Sequence, residues 1–371
     1  MRPKSLKFIF LLFFFLSCST KTKISMKQKL FSEGYRLVAG CSIFDLDGNI
    51  LRSYPGGSCL FEDDGSLLSY DPAKLELSKY DADLRKLWTL NLHVHHELKK
   101  TSTGEYLVNS SEVVPFKGRK RVRFDEVLLV SIDGNIKKRF SFLKYFRSQP
   151  WFHYVMPTAS TWEKNLKHDS EVTHIAASYD IPFHVEQNGK IKYPQGSVIV
   201  TLTRGILGAV ILDPQLKEVL DTLRLTHAEI LHDGQFVSPS ELMFFKNTSQ
   251  IRPISESESA SVKFYDVFKK RISSEIHLDL YALYTGGVQA VGEEILLISD
   301  SNSEKHPAER VTADTENSPS MRKDAIHKLM KGRVIFYNRQ SGQLEMTHFD
   351  FNFQHMKLQK LVRFLALNRG P

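Results

Sequence analysis

The chain has 371 residues, 42% hydrophobic and 25% charged, with a formal charge of +8. Such a length and apolar share can bury a sizeable core. The positive excess is mild, mixed with acidic residues along the sequence and gathered into no basic stripe with interleaved aromatics, so nucleic acid is not an expected partner.

At the N-terminus Arg2, Lys4 and Lys7 precede an apolar run from Phe8 to Leu16, and Ser17-Cys18-Ser19-Thr20 follows. A basic head and a short apolar core make an export signal. The run is well under the about 20 apolar residues needed to cross a bilayer. Leu16-Ser17-Cys18 resembles a bacterial lipoprotein cleavage box. The resemblance implies a signal peptide over residues 1–17, acyl chains on Cys18, a polar tether over 18–30 and a folded domain over 31–371. The protein would then be an exported lipoprotein, held by its lipid anchor in the periplasm or at the outer membrane or cell surface. Plain secretion is the alternative. In such a compartment Cys41 and Cys59, on either side of Asp47-Gly48, can form a disulfide, although two separate buried thiols fit the spacing equally well.

Beyond the tether, short β-rich runs alternate with Gly, Asp and Asn turns, and no window keeps a helical period before Met321 to Met330. Two kinds of hairpin recur. In one, a turn introduces an apolar strand, at Asp64-Gly65, Thr103-Gly104, Gln195-Gly196, Asp233-Gly234 and Val291-Gly292. In the other, a strand turns into an outer strand: Ile43 to Leu51, Leu77 to Trp88, Val130 to Ile136, Val210 to Val219, Val262 to Phe268 and Val334 to Leu344. Paired in order, the two kinds make four-stranded antiparallel units, and six such units predict an all-β chain folded as a six-bladed β-propeller. A two-sheet sandwich is the runner-up, without a reason to repeat itself. The first and last units are expected to meet and close the ring. Three stretches lie outside the repeat: Asn109 to Arg123, Arg147 to Ser170 with Trp151, Phe152, Tyr154 and Trp162, and the polar Asp300 to Gly332. The aromatics of the second either roof a pocket or pack their own loop down.

Three histidines stand at similar places in this repeat. His96 precedes the Thr103-Gly104 turn, His174 precedes Gln195-Gly196 after an insertion, and His227 precedes Asp233-Gly234. A lone strand histidine is usually structural. Three at one repeated position, on strands that would line the central channel, are expected to converge. Arg204 ends the apolar strand Val198 to Arg204 and is expected to join them. In an extended strand His93, His95 and Glu97 would share one face and His96 the other, which leaves a metal site on His93 and His95 as a competing reading.

These motifs resemble the bacterial aryl sulfotransferases that use no nucleotide sulfate donor. The similarity rests on His95-His96-Glu97-Leu98, Thr173-His174-Ile175, Thr203-Arg204 before Ile211-Leu212-Asp213, Thr226-His227-Ala228-Glu229 through Gly234, Gly286-Gly287-Val288-Gln289 and Val362-Arg363-Phe364. It implies a six-bladed propeller in which His227 accepts the sulfuryl group while Arg204, His96 and His174 hold its oxygens. Small phenolic donors and acceptors are the implied partners, and no cofactor or metal is called for; the oligomeric state is not indicated. Sulfuryl transfer places charge on peripheral oxygens, so a nucleophile with fixed cationic and N–H donors suits it. Ala176 stands where that family has Asn, and Glu97 and Glu229 replace Asp. A propeller that serves only as a ligand-binding or adhesion module is the alternative.

Overall fold

The computed structural model describes residues 25–96, 98–159, 170–204, 208–224, 231–247, 260–278, 286–292, 294–302, 331–349 and 356–361. Six small antiparallel sheets stand in a ring, a six-bladed β-propeller. From the innermost strand outwards, blade I is Lys357–Lys360, Tyr35–Ala39, Ser42–Phe44 and Ile50–Ser53. Blade II is Ser58–Phe61, Leu67–Asp71, Glu76–Tyr80 and Lys86–Asn91, and blade III is Leu98–Lys100, Tyr106–Phe116, Arg119–Val130 and Ile136–Ser141. Blade IV is His174–Asp180, Val198–Arg204, Gly208–Leu212 and Val219–Arg224. Blade V is Leu231–Ser238, Glu241–Lys246, Ser261–Asp266 and Arg271–His277, and blade VI is Gly286–Val291, Ile295–Asn302, Lys331–Asn338 and Leu344–Phe349.

A blade is apolar on both faces and must bury each against a neighbour, which is why its middle strands read as continuous apolar runs such as Gly208–Leu212, buried throughout. One hydrophobic cluster fills each junction: Leu60 with Leu128 between II and III, Val127 with Val200 between III and IV, Ile211 with Phe244 between IV and V. Met243 packs with Leu296 between V and VI, Phe44 with Phe336 between VI and I, and Ile43 with Phe61 between I and II. Fourth strands are largely exposed, as in Ile50–Ser53 and Arg271–His277. The last described strand, Lys357–Lys360, pairs with Tyr35–Ala39, so the first and last described strands share blade I and the ring closes within that blade. Cys41 and Cys59 form a disulfide that ties blade I to blade II.

All six expected outer hairpins are third and fourth strands, and their turns share a device. The carboxylate or amide oxygen of Asp45, Asp81, Asp213, Asp266 or Asn338 accepts backbone N–H groups further along its own turn. In blade III the hydroxyl of Ser131 does so instead. Asp233-Gly234 is not the turn expected. It lies inside the innermost strand of blade V, at an irregularity in the pairing between His232 and Gln235, and the chain turns at Pro239-Ser240. Asp233 takes φ 52° there because its carboxylate reaches the next blade, where the N–H of Val288 donates to it at 3.1 Å.

Two helices escaped the periodicity argument because each is under two turns long. Met26–Ser32 starts with a capping box between Ser25 and Gln28 and buries Met26 and Leu30 in the junction of blades VI and I, so the packed body begins before residue 31. Phe142–Arg147 buries Phe142, Leu143 and Phe146 beside blade III. The helix expected at Met321 to Met330 lies outside the described residues.

Innermost strands all start at one end of the ring, here called the upper rim. Leu98 pairs with Val108, so the hairpin Tyr106–Phe116 and Arg119–Val130 overhangs that rim. Phe152 packs on Phe116 with ring centres 5.3 Å apart and Trp151 on Phe146 at 5.1 Å, so these aromatics hold their own loop against the overhang.

Candidate functional site

The overhanging hairpin brings a second chain segment to the upper rim. Ser170–Glu171 pairs in parallel with Val122–Arg123, and the N–H of Val172 donates to the carbonyl of Arg123 at 3.0 Å. Asp125 then fastens the turn into blade IV: its N–H donates to Thr173 Oγ1 and its Oδ2 accepts the N–H of Ile175, both at 2.7 Å. These bonds fix where His174 enters as the first residue of the innermost strand of blade IV.

His96 comes from the connection between blades II and III, two residues before Leu98. Residues 92–95 form no strand, so the alternation assumed for His93, His95 and Glu97 does not exist; Glu97 itself lies outside the described residues. The N–H of His95 donates to Asn109 O at 2.9 Å, and His96 takes φ 61°, a left-handed conformation uncommon outside glycine. The kink points both rings at His174. His96 Nε2 stands 3.2 Å from His174 Nε2, and the ring of His95 is centred 3.9 Å from that of His96 and 4.7 Å from that of His174. His93 turns instead to Ser111, its Nδ1 on Ser111 Oγ.

Arg123 supplies the cation of this cluster. It is a fully buried side chain whose Nη2 donates to Glu171 Oε2 and, at 3.1 Å, to His174 Nδ1, while its Nε lies 3.4 Å from Asp125 Oδ1. Guanidinium nitrogens only donate, so in the Arg123–His174 contact Nδ1 is the acceptor. The cluster runs from Arg123 through His174 to His96. Burial raises the pKa of the Asp125 carboxyl against the pull of Arg123. Burial, reinforced by His96, Arg123 and His174, drops that of His95 well below the usual histidine value.

Of the expected residues, His96 and His174 therefore meet. Arg204 ends the second strand of blade IV as the Cα partner of His174, so its backbone is at the same rim; its side chain is outside the described set. His227 falls between the last strand of blade IV and the first of blade V, also outside the described residues. Sequence reasoning passed over Arg123, Glu171, Asp125 and the inward part of His95. Only the unusual Arg-Phe-Asp within an apolar strand hinted at a buried ion network.

Below the rim the six innermost strands enclose a cavity of about 440 Å3, lined among others by Leu60, Leu98, Tyr179, Asp233, Val288 and Leu358. Gln235 and Gln289 stitch its wall. The amide of Gln235 bonds Val288 O at 2.7 Å and Ala290 N at 3.2 Å, and that of Gln289 bonds Leu358 O at 3.1 Å and Leu358 N at 2.9 Å.

No family model matches the chain, and no curated protein matches it either. Several solved structures are similar in fold. A protein of unknown function from Bacteroides caccae is 12% identical, with TM-score 0.49, over 88% of this chain and 98% of that one. Hydrazine synthase of Kuenenia stuttgartiensis is 12% identical, TM-score 0.44, over 83% and 72%. An oligogalacturonate lyase in complex with manganese is 11% identical, TM-score 0.44, over 85% and 73%. At these values the likeness concerns the fold alone.

Proposed function

We propose that the chain transfers a sulfuryl group from an aryl sulfate to a phenolic acceptor at the upper rim. The single observation that carries this reading is the meeting of His96 and His174, 78 residues apart in sequence, with nitrogens 3.2 Å apart. His227 would attack sulfur with an imidazole lone pair while the S–O bond to the aryl group breaks and the aryl oxide takes a proton from solvent. The acceptor phenol would then attack the sulfohistidine, lose its proton and restore the histidine. His96, His174 and Arg204 would hold the sulfuryl oxygens, and Arg123 and Glu171 would fix the orientation of His174.

The disulfide supports placing the protein outside the cytoplasm, since such bonds persist in oxidising compartments. This agrees with a signal peptide over 1–17 and lipidation at Cys18. Among the described residues no helix is long and apolar enough to cross a membrane. The 440 Å3 cavity favours a second reading, a ligand-binding propeller without chemistry.

The test incubates the protein with a chromogenic aryl sulfate, with and without a phenol. Transferase activity requires acceptor-dependent release of the chromophore, and His227→Asn should reduce it to background; near wild-type turnover in that variant would sink the assignment. Release to water alone would indicate a sulfatase, and no release with saturable ligand binding the module.

A further inference from the structure

We propose that His95, His96 and His174 form a three-histidine site for a divalent transition metal ion of the zinc or copper class. One ring nitrogen from each of the three lies within 4.8 Å of the others. The two nearest, the Nε2 atoms of His96 and His174, are 3.2 Å apart. Two nitrogens bound to one zinc at about 2.0–2.1 Å and a tetrahedral angle stand about 3.3 Å apart, so His96 and His174 already have the spacing of a ligand pair, and the third nitrogen of a set spanning up to 4.8 Å has to close in to complete the site.

A second observation is independent of that distance. His95 is only 7% exposed, and its Nδ1 is a buried polar atom with no hydrogen-bond partner among the described residues, a costly arrangement that a ligand would relieve. Three imidazoles without thiolate or carboxylate donors suit zinc and copper better than calcium or magnesium.

The surroundings supply the support that histidine ligands use. Glu171 Oε1 lies 3.5 Å from His174 Nδ1. When Nε2 of His174 binds the ion, its ring proton is carried on Nδ1, which then donates to Glu171 Oε1 in place of accepting from Arg123. Arg123 then keeps Glu171 as its partner. His96 and His174 remain partly exposed, which leaves the ion an open position for water or an anionic oxygen.

This inference stands apart from the sulfuryl-transfer reading: an ion would take over from His96 and His174 the task of holding an anionic oxygen. The full chain, stripped with a chelator and dialysed, would be titrated with zinc chloride by calorimetry and with cobalt chloride by visible absorption. The expected result is one ion per chain, a visible cobalt spectrum of four-coordinate type, and affinity weakened in His96→Asn and His174→Asn by more than the about 10- to 100-fold typical of losing a supporting group. Both variants replace partly exposed residues, and near-ultraviolet circular dichroism checks that each is folded. No binding by the wild type, or equal binding by folded variants, overturns the site. Acceptor-dependent sulfuryl transfer by metal-free protein that binds no ion would overturn this inference alone. Metal binding without any transfer would overturn the proposed function alone.

Discussion

His95 is kept neutral by burial, and by the charges of His96, Arg123 and His174, and this has a measurable consequence. The unfolded chain takes up a proton on this residue near pH 6.5, which the folded chain refuses. Its stabilising contribution is therefore complete above that pH and is lost as pH falls below it. Urea melts should show stability declining from about pH 6.5 downwards with a slope of up to ~1.4 kcal/mol per pH unit from this group. His95→Asn should remove that part of the slope, and an unchanged slope would assign it to other groups. His96 and His174 were legible in the sequence because they recur ahead of similar turns. Arg123 was not, since it sits in a stretch outside the repeat and becomes a partner of His174 only through the parallel pairing of Val122–Arg123 with Ser170–Glu171.

Strands differ in how plainly they announce themselves. The outer hairpins were legible because their turns are local: one side-chain oxygen caps backbone groups a few residues on, as Asp213 does for Gln215, Lys217 and Glu218. The innermost strand of blade V was misread because Asp-Gly ordinarily marks a turn, whereas here Asp233 is held by groups on the neighbouring blades, Val288 N and Tyr179 Oη. Gly234 is needed for close approach rather than for a turn. A Cβ there would stand 2.4 Å from both Phe244 Cε1 and Thr201 Oγ1, and Thr201 Oγ1 already accepts the Gly234 N–H at 2.9 Å. Gly234→Ala should thus cost about 1–3 kcal/mol, the usual penalty for overpacking a tight interior. A urea midpoint equal to wild type would return this position to an open turn.

At the scale of the whole molecule the pairing of Tyr35–Ala39 with Lys357–Lys360 closes the ring, and the Cys41–Cys59 bond ties the closing blade I to blade II. The two cysteines are 18 residues apart, so their bond restricts a modest loop in the unfolded chain. Replacing both by Ser should cost about 3 kcal/mol on the loop-entropy account. Thermal melts would show this as a lower midpoint in the double variant, and the wild type under a reductant that opens the bond should fall by a similar amount. The sequence by itself determined the blade count, the order of hairpins and the outer turns, because each depends on residues a few positions apart. It also singled out His96 and His174. Only the tertiary structure decided that Cys41 and Cys59 pair, that Asp233-Gly234 belongs to a channel strand, and that His95, Arg123 and Glu171 join the two histidines. Those features depend on which blade faces which, a relation set by burying apolar faces across the ring and carried by no local pattern.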